Sequence, residues 1–140
     1  MEKIDSEFRF HSFECRLETF KNWPFTENCA CTPKKLAEAG FVYSGSDQEP
    51  DLVICFVCRK ELDGWTPDDD PWQEHVSHSG KCPFIKDKNP ESLTCAGFLL
   101  LEKTRVSNIV TRYTQESNSL WNKGVSSLEE LMGSKGKYKI

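Results

Sequence analysis

The sequence predicts a small α+β domain, short helices around a three-stranded antiparallel sheet, followed by one long amphipathic helix. Three observations carry this expectation. Between residues 32 and 84, helix caps and short β-type runs follow one another at close spacing. Cysteine and histidine gather in the same stretch. From about residue 93 the apolar residues switch to a seven-residue recurrence, which marks a long helix with coiled-coil tendencies.

The 140 residues fit one compact domain plus an extension. Residues 1–10 read as a loose arm, 11–88 as the compact domain, and 89–140 as a linker, a helix and a frayed end. Within 11–20, Phe13, Leu17 and Phe20 stand close to helical spacing. Thr32 caps a short helix with Pro33 at its first position, and Gly40 ends it. FVYS at 41–44 and LVICF at 52–56 are short strands across a polar turn, with a third expected from Leu62 to Trp65. Asp70-Pro71 opens another short helix through His75. The compact region closes near Phe84, and KDKNPES at 86–92 is a hinge. In the long helix, Leu99, Val106, Tyr113 and Leu120 are spaced by seven, and Val110, Trp121, Leu128 and Leu131 fill the same broad face. A helix over 93–131 extends on the order of 55 Å at about 1.5 Å per residue. Gly124 weakens it, and GSKGKYKI is its frayed end.

Composition narrows the function. No stretch approaches the roughly 18 apolar residues that span a bilayer, so no membrane role is expected. MEKIDSEFRF lacks the basic-then-apolar pattern of a signal peptide, which places the chain in nucleus and cytoplasm. In a reducing compartment, seven clustered cysteines mean metal rather than disulfides, and an odd count agrees. Residues 1–90 carry 11 Lys/Arg against 17 Asp/Glu, while 91–140 carry 7 against 5. An acidic front half is poor equipment for gripping phosphates, which argues against direct nucleic-acid binding. It attracts cationic peptides or free amino termini instead.

Cys55-Phe-Val-Cys58 presents two thiols on one tight turn, and His75 and Cys82 follow in the same segment. Three thiolates and one imidazole complete a tetrahedral set for a single Zn2+ with no vacant position. A closed shell leaves no bound water to activate, so the expected role of the zinc is structural. A redox Cys-x-x-Cys and a Cys2His2 nucleic-acid finger fit less well, since the second pair has the wrong order and the surroundings are acidic. His78 is the alternative to His75 as the fourth ligand. Cys15, Cys29, Cys31 and Cys95 read as small buried or partly buried side chains. No open metal position or nucleophilic Cys–His pair stands outside this set, so no enzyme is expected.

Several further anchors occur in order. Arg16-x-x-Thr19-Phe20-x-x-Trp23-Pro24 comes first, then Leu36-Ala37-x-Ala39-Gly40-Phe41 and Asp51-x-Val53-x-Cys55-Phe56-x-Cys58. Leu62-x-x-Trp65, Asp69-Asp70-Pro71, Glu74-His75-x-x-His78 and Cys82-x-Phe84 follow. Over residues 15–86 the chain resembles the baculoviral inhibitor-of-apoptosis repeat family. A single repeat, one long helix and no RING-type second zinc cluster are similar to the survivin-like branch. That resemblance implies a subunit of the chromosomal passenger complex. Its repeat would capture the histone-3 tail phosphorylated on threonine 3. Its helix would bundle with borealin and the inner centromere protein, bringing Aurora B kinase to the centromere and spindle midzone in mitosis.

For such a tail, Asp63 and Asp69 are the carboxylates expected to meet the free amine, and Leu62 and Trp65 to wall a pocket for an alanine methyl. Lys60 and His78 are expected at the phosphate. At Asp63 the chain departs from the branch, which carries the longer glutamate. The implied partner face takes in Phe98, Leu99, Glu102, Val106, Val110, Tyr113 and Leu120, and the Phe98–Leu99 start would serve a homodimer when partners are absent. The rival function is regulation of apoptosis, by binding caspases or the amino termini of their antagonists.

Overall fold

The computed structural model describes residues 6–86 and 93–133. After a 3-10 turn at Phe8–His11 come α1 (Phe13–Leu17), a second 3-10 turn (Glu18–Asn22) and α2 (Pro33–Glu38). Next are β1 (Phe41–Tyr43), β2 (Val53–Cys55) and β3 (Glu61–Leu62), then α3 (Pro71–Ser79), α4 (Pro83–Lys86) and α5 (Cys95–Gly133). The chain divides into two compact units, Met1–Asn108 and Ile109–Ile140.

In the first unit the strands form one antiparallel sheet in the order β1-β2-β3, with Phe41 opposite Cys55 and Val53 opposite Leu62. Phe41, Val53 and Cys55 are fully buried while Ile54 between them is half-buried, the alternation of a sheet with one covered face. The expected helix starts and stops are present. Thr32 accepts a bond from the Lys35 N–H at 3.3 Å, and Asp70 from the Gln73 N–H at 3.0 Å, each ahead of a proline at the first turn. Gly40 takes φ +87° just past α2, where a Cβ would stand 2.7 Å from the Phe84 ring.

One local expectation is refined and three are corrected. The helical spacing of Phe13, Leu17 and Phe20 is realised in two pieces, α1 and the second 3-10 turn. The Thr19 hydroxyl donates to Arg16 O at 2.6 Å and accepts from the Tyr43 N–H at 3.0 Å, which draws the chain out of the α ladder. The third strand covers only Glu61–Leu62, because Gly64 turns at φ +72° and the Trp65 N–H goes to Asp51 Oδ2 at 2.7 Å. The arm is packed over its second half: Phe10 is buried, and Glu7 pairs with Arg59 at 2.7 Å. Residues 1–5 lie outside the described residues, as do the proposed hinge beyond Lys86 and the end beyond Gly133. Cys95 is exposed, unlike the half-buried Cys15 and Cys29 and the buried Cys31.

The core is aromatic. Trp23 meets Phe20 and Trp65 edge-on at 5.7 and 6.1 Å, and Trp65 meets Phe41 at 5.9 Å. Such pairs add about 0.5–1.5 kcal/mol each beyond the area they bury. The Trp23 indole N–H donates to Cys31 O at 2.9 Å, satisfying its one polar atom.

The first turns of α5 belong to this unit. Leu101 is buried and Arg105 is 1% exposed, its guanidinium forked onto Glu102 at 2.7 Å. Glu102 also meets His11 at 2.8 Å. Arg105 first, and His11 after it, outweigh the cost of burial and hold the Glu102 carboxyl down at about 2. In the second unit α5 runs on through Gly124, where a Cβ would meet nothing, and Leu120, Trp121, Leu128 and Leu131 are exposed. No helix among the described residues is long and apolar enough to cross a membrane.

Candidate functional site

Cys55 ends β2, Cys58 closes the turn after it, His75 lies on α3 and Cys82 immediately precedes α4. Their four ligand atoms all lie within 4.8 Å of one another. Cys55 Sγ is 4.0 Å from Cys82 Sγ, and Cys58 Sγ is 3.5 Å from His75 Nε2. Metal bonds of about 2.3 Å to sulfur and about 2.0–2.1 Å to nitrogen at tetrahedral angles give edges of about 3.8 and 3.6 Å. The donor set therefore fits one tetrahedral ion. His78 is not part of it: its ring is half exposed and lies 3.5 Å from Glu74.

The surroundings orient each ligand. The His75 Nδ1–H donates to Ala39 O at 2.7 Å, which fixes the ring and turns Nε2 toward the thiols. The N–H groups of Val57 and Cys58 point at Cys55 Sγ at 3.4 and 3.5 Å. Arg59 closes the turn at φ +61°, a conformation costing a non-glycine residue about 1–2 kcal/mol, and its pairing with Glu7 helps hold it there. Asn108, from α5, donates to Val57 O at 3.0 Å. Crowding splits the thiols: burial, then the neighbouring thiols, push Cys55 up, while bonds from Cys55 and Cys82 bring Cys58 far down. Burial alone would lower the His75 imidazole, but bonds to Cys58 and Cys82 raise it to about 9. The cluster thus favours a thiolate beside a cation, the charge pattern that a bound divalent ion would replace.

A second cavity borders β3 and α3. Leu62, Asp63, Gly64, Trp65, Asp69, Glu74 and His78 line a cavity of about 220 Å³. It brings together five of the six residues expected to meet a peptide. Lys60 is the exception and does not line it. Glu74 joins the five, and its position four before His78 on a helix is the signal in the sequence that could have found it. Asp69 has a structural task as well, since its Oδ2 accepts from the Thr66 N–H at 2.7 Å. Trp65 is 6% exposed. Three carboxylates against one imidazole give the cavity an acidic lining.

The expected partner face of α5 is divided. Leu99, Val110, Tyr113 and Leu120 are exposed, and Val106 is half-buried. Phe98 and Glu102 turn toward the repeat instead. Phe98 packs on His11 at 4.8 Å and on Phe8 at 6.2 Å, and Glu102 bonds His11.

Residues 16–86 match the family described as BIR: Inhibitor of Apoptosis domain. Baculoviral IAP repeat-containing protein 5.1 of Xenopus tropicalis is 48% identical over 114 residues, covering 76% of this chain and 71% of that protein. Baculoviral IAP repeat-containing protein 5.2 of the same frog is 55% identical over 103 residues, covering 73% of this chain and 66% of that protein. A crystal structure of an autoinhibited dIAP1-BIR1 domain aligns with 55% of this chain and 75% of that one, at 31% identity and a TM-score of 0.47.

Proposed function

The chain belongs to the baculoviral inhibitor-of-apoptosis repeat family, and from that premise we propose that it is a survivin-like adaptor that binds the amino terminus of a peptide. The ion held by Cys55, Cys58, His75 and Cys82 is Zn2+, and it stabilises the repeat without taking part in a reaction. The ligand is the histone-3 tail phosphorylated on threonine 3. The exposed face of α5 assembles with borealin and the inner centromere protein, so that Aurora B kinase is carried to the centromere and midzone. The protein works as a scaffold rather than an enzyme, in nucleus and cytoplasm.

One observation carries the peptide reading: Asp63, Asp69 and Glu74 converge with Trp65 on a cavity of about 220 Å³. That space suits a protonated amine and a methyl group, and charge-assisted bonds to the amine supply the affinity. The absence of Lys60 from the lining favours a second reading, a general receptor for free amino termini of the kind that apoptosis regulators recognise. Calorimetric titration separates the two. The metal-loaded protein is titrated with the tail peptide phosphorylated on threonine 3, with the unphosphorylated peptide, and with an amino-acetylated one. Dependence on both amine and phosphate supports the histone reading. Dependence on the amine alone supports the second. Binding that survives acetylation removes the pocket from both.

Two variants sharpen these assignments. Asp69→Asn keeps an acceptor for the Thr66 N–H but removes the charge, so peptide affinity should fall about tenfold or more with metal content unchanged. Unaltered affinity would reject the amine assignment. Leu99→Glu combined with Leu120→Glu places charge on exposed apolar positions of α5. Co-elution with the two helical partners should be lost while peptide affinity stays within about twofold; retained co-elution would move the partner surface elsewhere.

A further inference from the structure

We propose that Thr66 accepts phosphate from a proline-directed serine/threonine kinase, and that the phosphate decides which peptides the acidic cavity admits. The second half of this proposal rests on the peptide-binding reading above. The chain has two Thr-Pro pairs, Thr32-Pro33 and Thr66-Pro67. The first has its hydroxyl engaged, capping α2 through the Lys35 N–H at 3.3 Å. Thr66 differs. Its residue is exposed, and its hydroxyl has no hydrogen-bond partner among the described residues. Only its backbone is tied down. The N–H donates to Asp69 Oδ2 at 2.7 Å, and the carbonyl accepts from the Asp69 N–H at 3.1 Å and the Cys31 thiol at 3.3 Å. The turn therefore presents a free nucleophilic oxygen followed by a proline that offers no N–H to a docking enzyme.

In the transfer, Thr66 Oγ bonds to the γ-phosphorus of ATP as the bond from that phosphorus to its bridging oxygen breaks. ADP leaves, and the hydroxyl proton passes to the kinase's catalytic carboxylate. The product adds about −1.5 to −2 charge. Thr66 lies next to Trp65 and bonds Asp69, both of which line the cavity. A cavity of about 220 Å³ is about 7 Å across, less than the Debye length of about 8 Å at physiological salt, so the new charge acts on any ligand there. An amine tolerates it. A phosphorylated ligand is repelled.

The test incubates the metal-loaded protein with Mg-ATP and a purified cyclin-dependent kinase or a purified MAP kinase, and maps phosphate by mass spectrometry. Thr66→Ala is the control. Modified and unmodified protein are then titrated with phosphorylated and unphosphorylated tail peptides at 0.15 M and 1 M salt. Phosphate should map to Thr66. The preference for the phosphorylated peptide should fall about tenfold at the lower salt, and by less at 1 M, where the Debye length is about 3 Å. No incorporation, or phosphate confined to Thr32, overturns the acceptor. Phosphate at Thr66 with an unchanged preference overturns the switch. If neither peptide binds unmodified protein, the peptide reading falls. Phosphate at Thr66 then still supports the acceptor, and its absence still overturns it.

Discussion

Replacing Cys82 by alanine is expected to empty the metal centre and abolish cooperative unfolding of the repeat. Cys82 is 2% exposed, lies just ahead of α4, and is the ligand that brings this end of the repeat to the Cys55–Cys58 turn. A closed Cys3His zinc site contributes about 10–16 kcal/mol of apparent binding free energy at neutral pH, against a total stability of about 5–15 kcal/mol for a typical domain. No other contact in so small a core is of that size. Cys31 makes a fair control: it too is buried, with its thiol raised to about 11 by burial, but it stands outside the cluster. Cys31→Ala should cost only about 0.5–3 kcal/mol and leave the metal in place. Metal analysis paired with calorimetric melting decides the matter. A sharp melting transition preserved in metal-free Cys82→Ala would show that the apolar core folds without the ion. Chelation of the wild-type protein should reproduce the loss.

The four clustered donors are legible in the sequence because their chemistry is written locally. A Cys-x-x-Cys turn, then His75 and Cys82 in one short segment, leave few ways to arrange four donors. The helix starts at Thr32-Pro33 and Asp70-Pro71 are local for the same reason. Contacts between residues far apart in sequence are not legible in this way. Glu7 finds Arg59 across 52 positions, Asn108 finds Val57 across 51, and His11 finds Glu102 across 91. Nothing in the periodicity of either segment announces such pairs. One face of the long helix is hard to read for a related reason. Its apolar stripe is visible, but the face that packs on the repeat pairs Leu101 with Arg105, and arginine reads as solvent-facing. Lys60 is suggested by its charge, and charge alone does not tell that the residue stands outside the cavity lining.

Arg16→Met is expected to destabilise the metal-loaded repeat by about 3–5 kcal/mol without removing the ion. Arg16 is 5% exposed, and its partners are carbonyls rather than an acid. Its Nε donates to Ala37 O at 2.9 Å, and its Nη1 to Phe10 O at 2.7 Å and His11 O at 3.1 Å. The guanidinium lies against Phe56 and Phe84 at 5.0 and 5.3 Å. Burial pulls its pKa down to about 10, so it remains charged at neutral pH. Exchanging a whole buried ion pair for apolar side chains is often harmless, because both charges leave together. Here methionine would match much of the volume but take the side-chain donor from Phe10 O and His11 O, while Ala37 O keeps the Gly40 N–H at 3.1 Å. Each buried acceptor left without a donor costs about 1–3 kcal/mol. Arg16→Lys keeps the charge but cannot fork across Ala37, Phe10 and His11 together, so it should recover only part of the loss. Urea titration reads the effect as a lower midpoint at unchanged slope. A loss below about 1 kcal/mol for Arg16→Met would mean that the 3-10 turn at Phe8–His11 is not fastened to α2 through this side chain. The expected loss, with metal content intact, would make Arg16 the polar joint between the amino-terminal segment and the repeat.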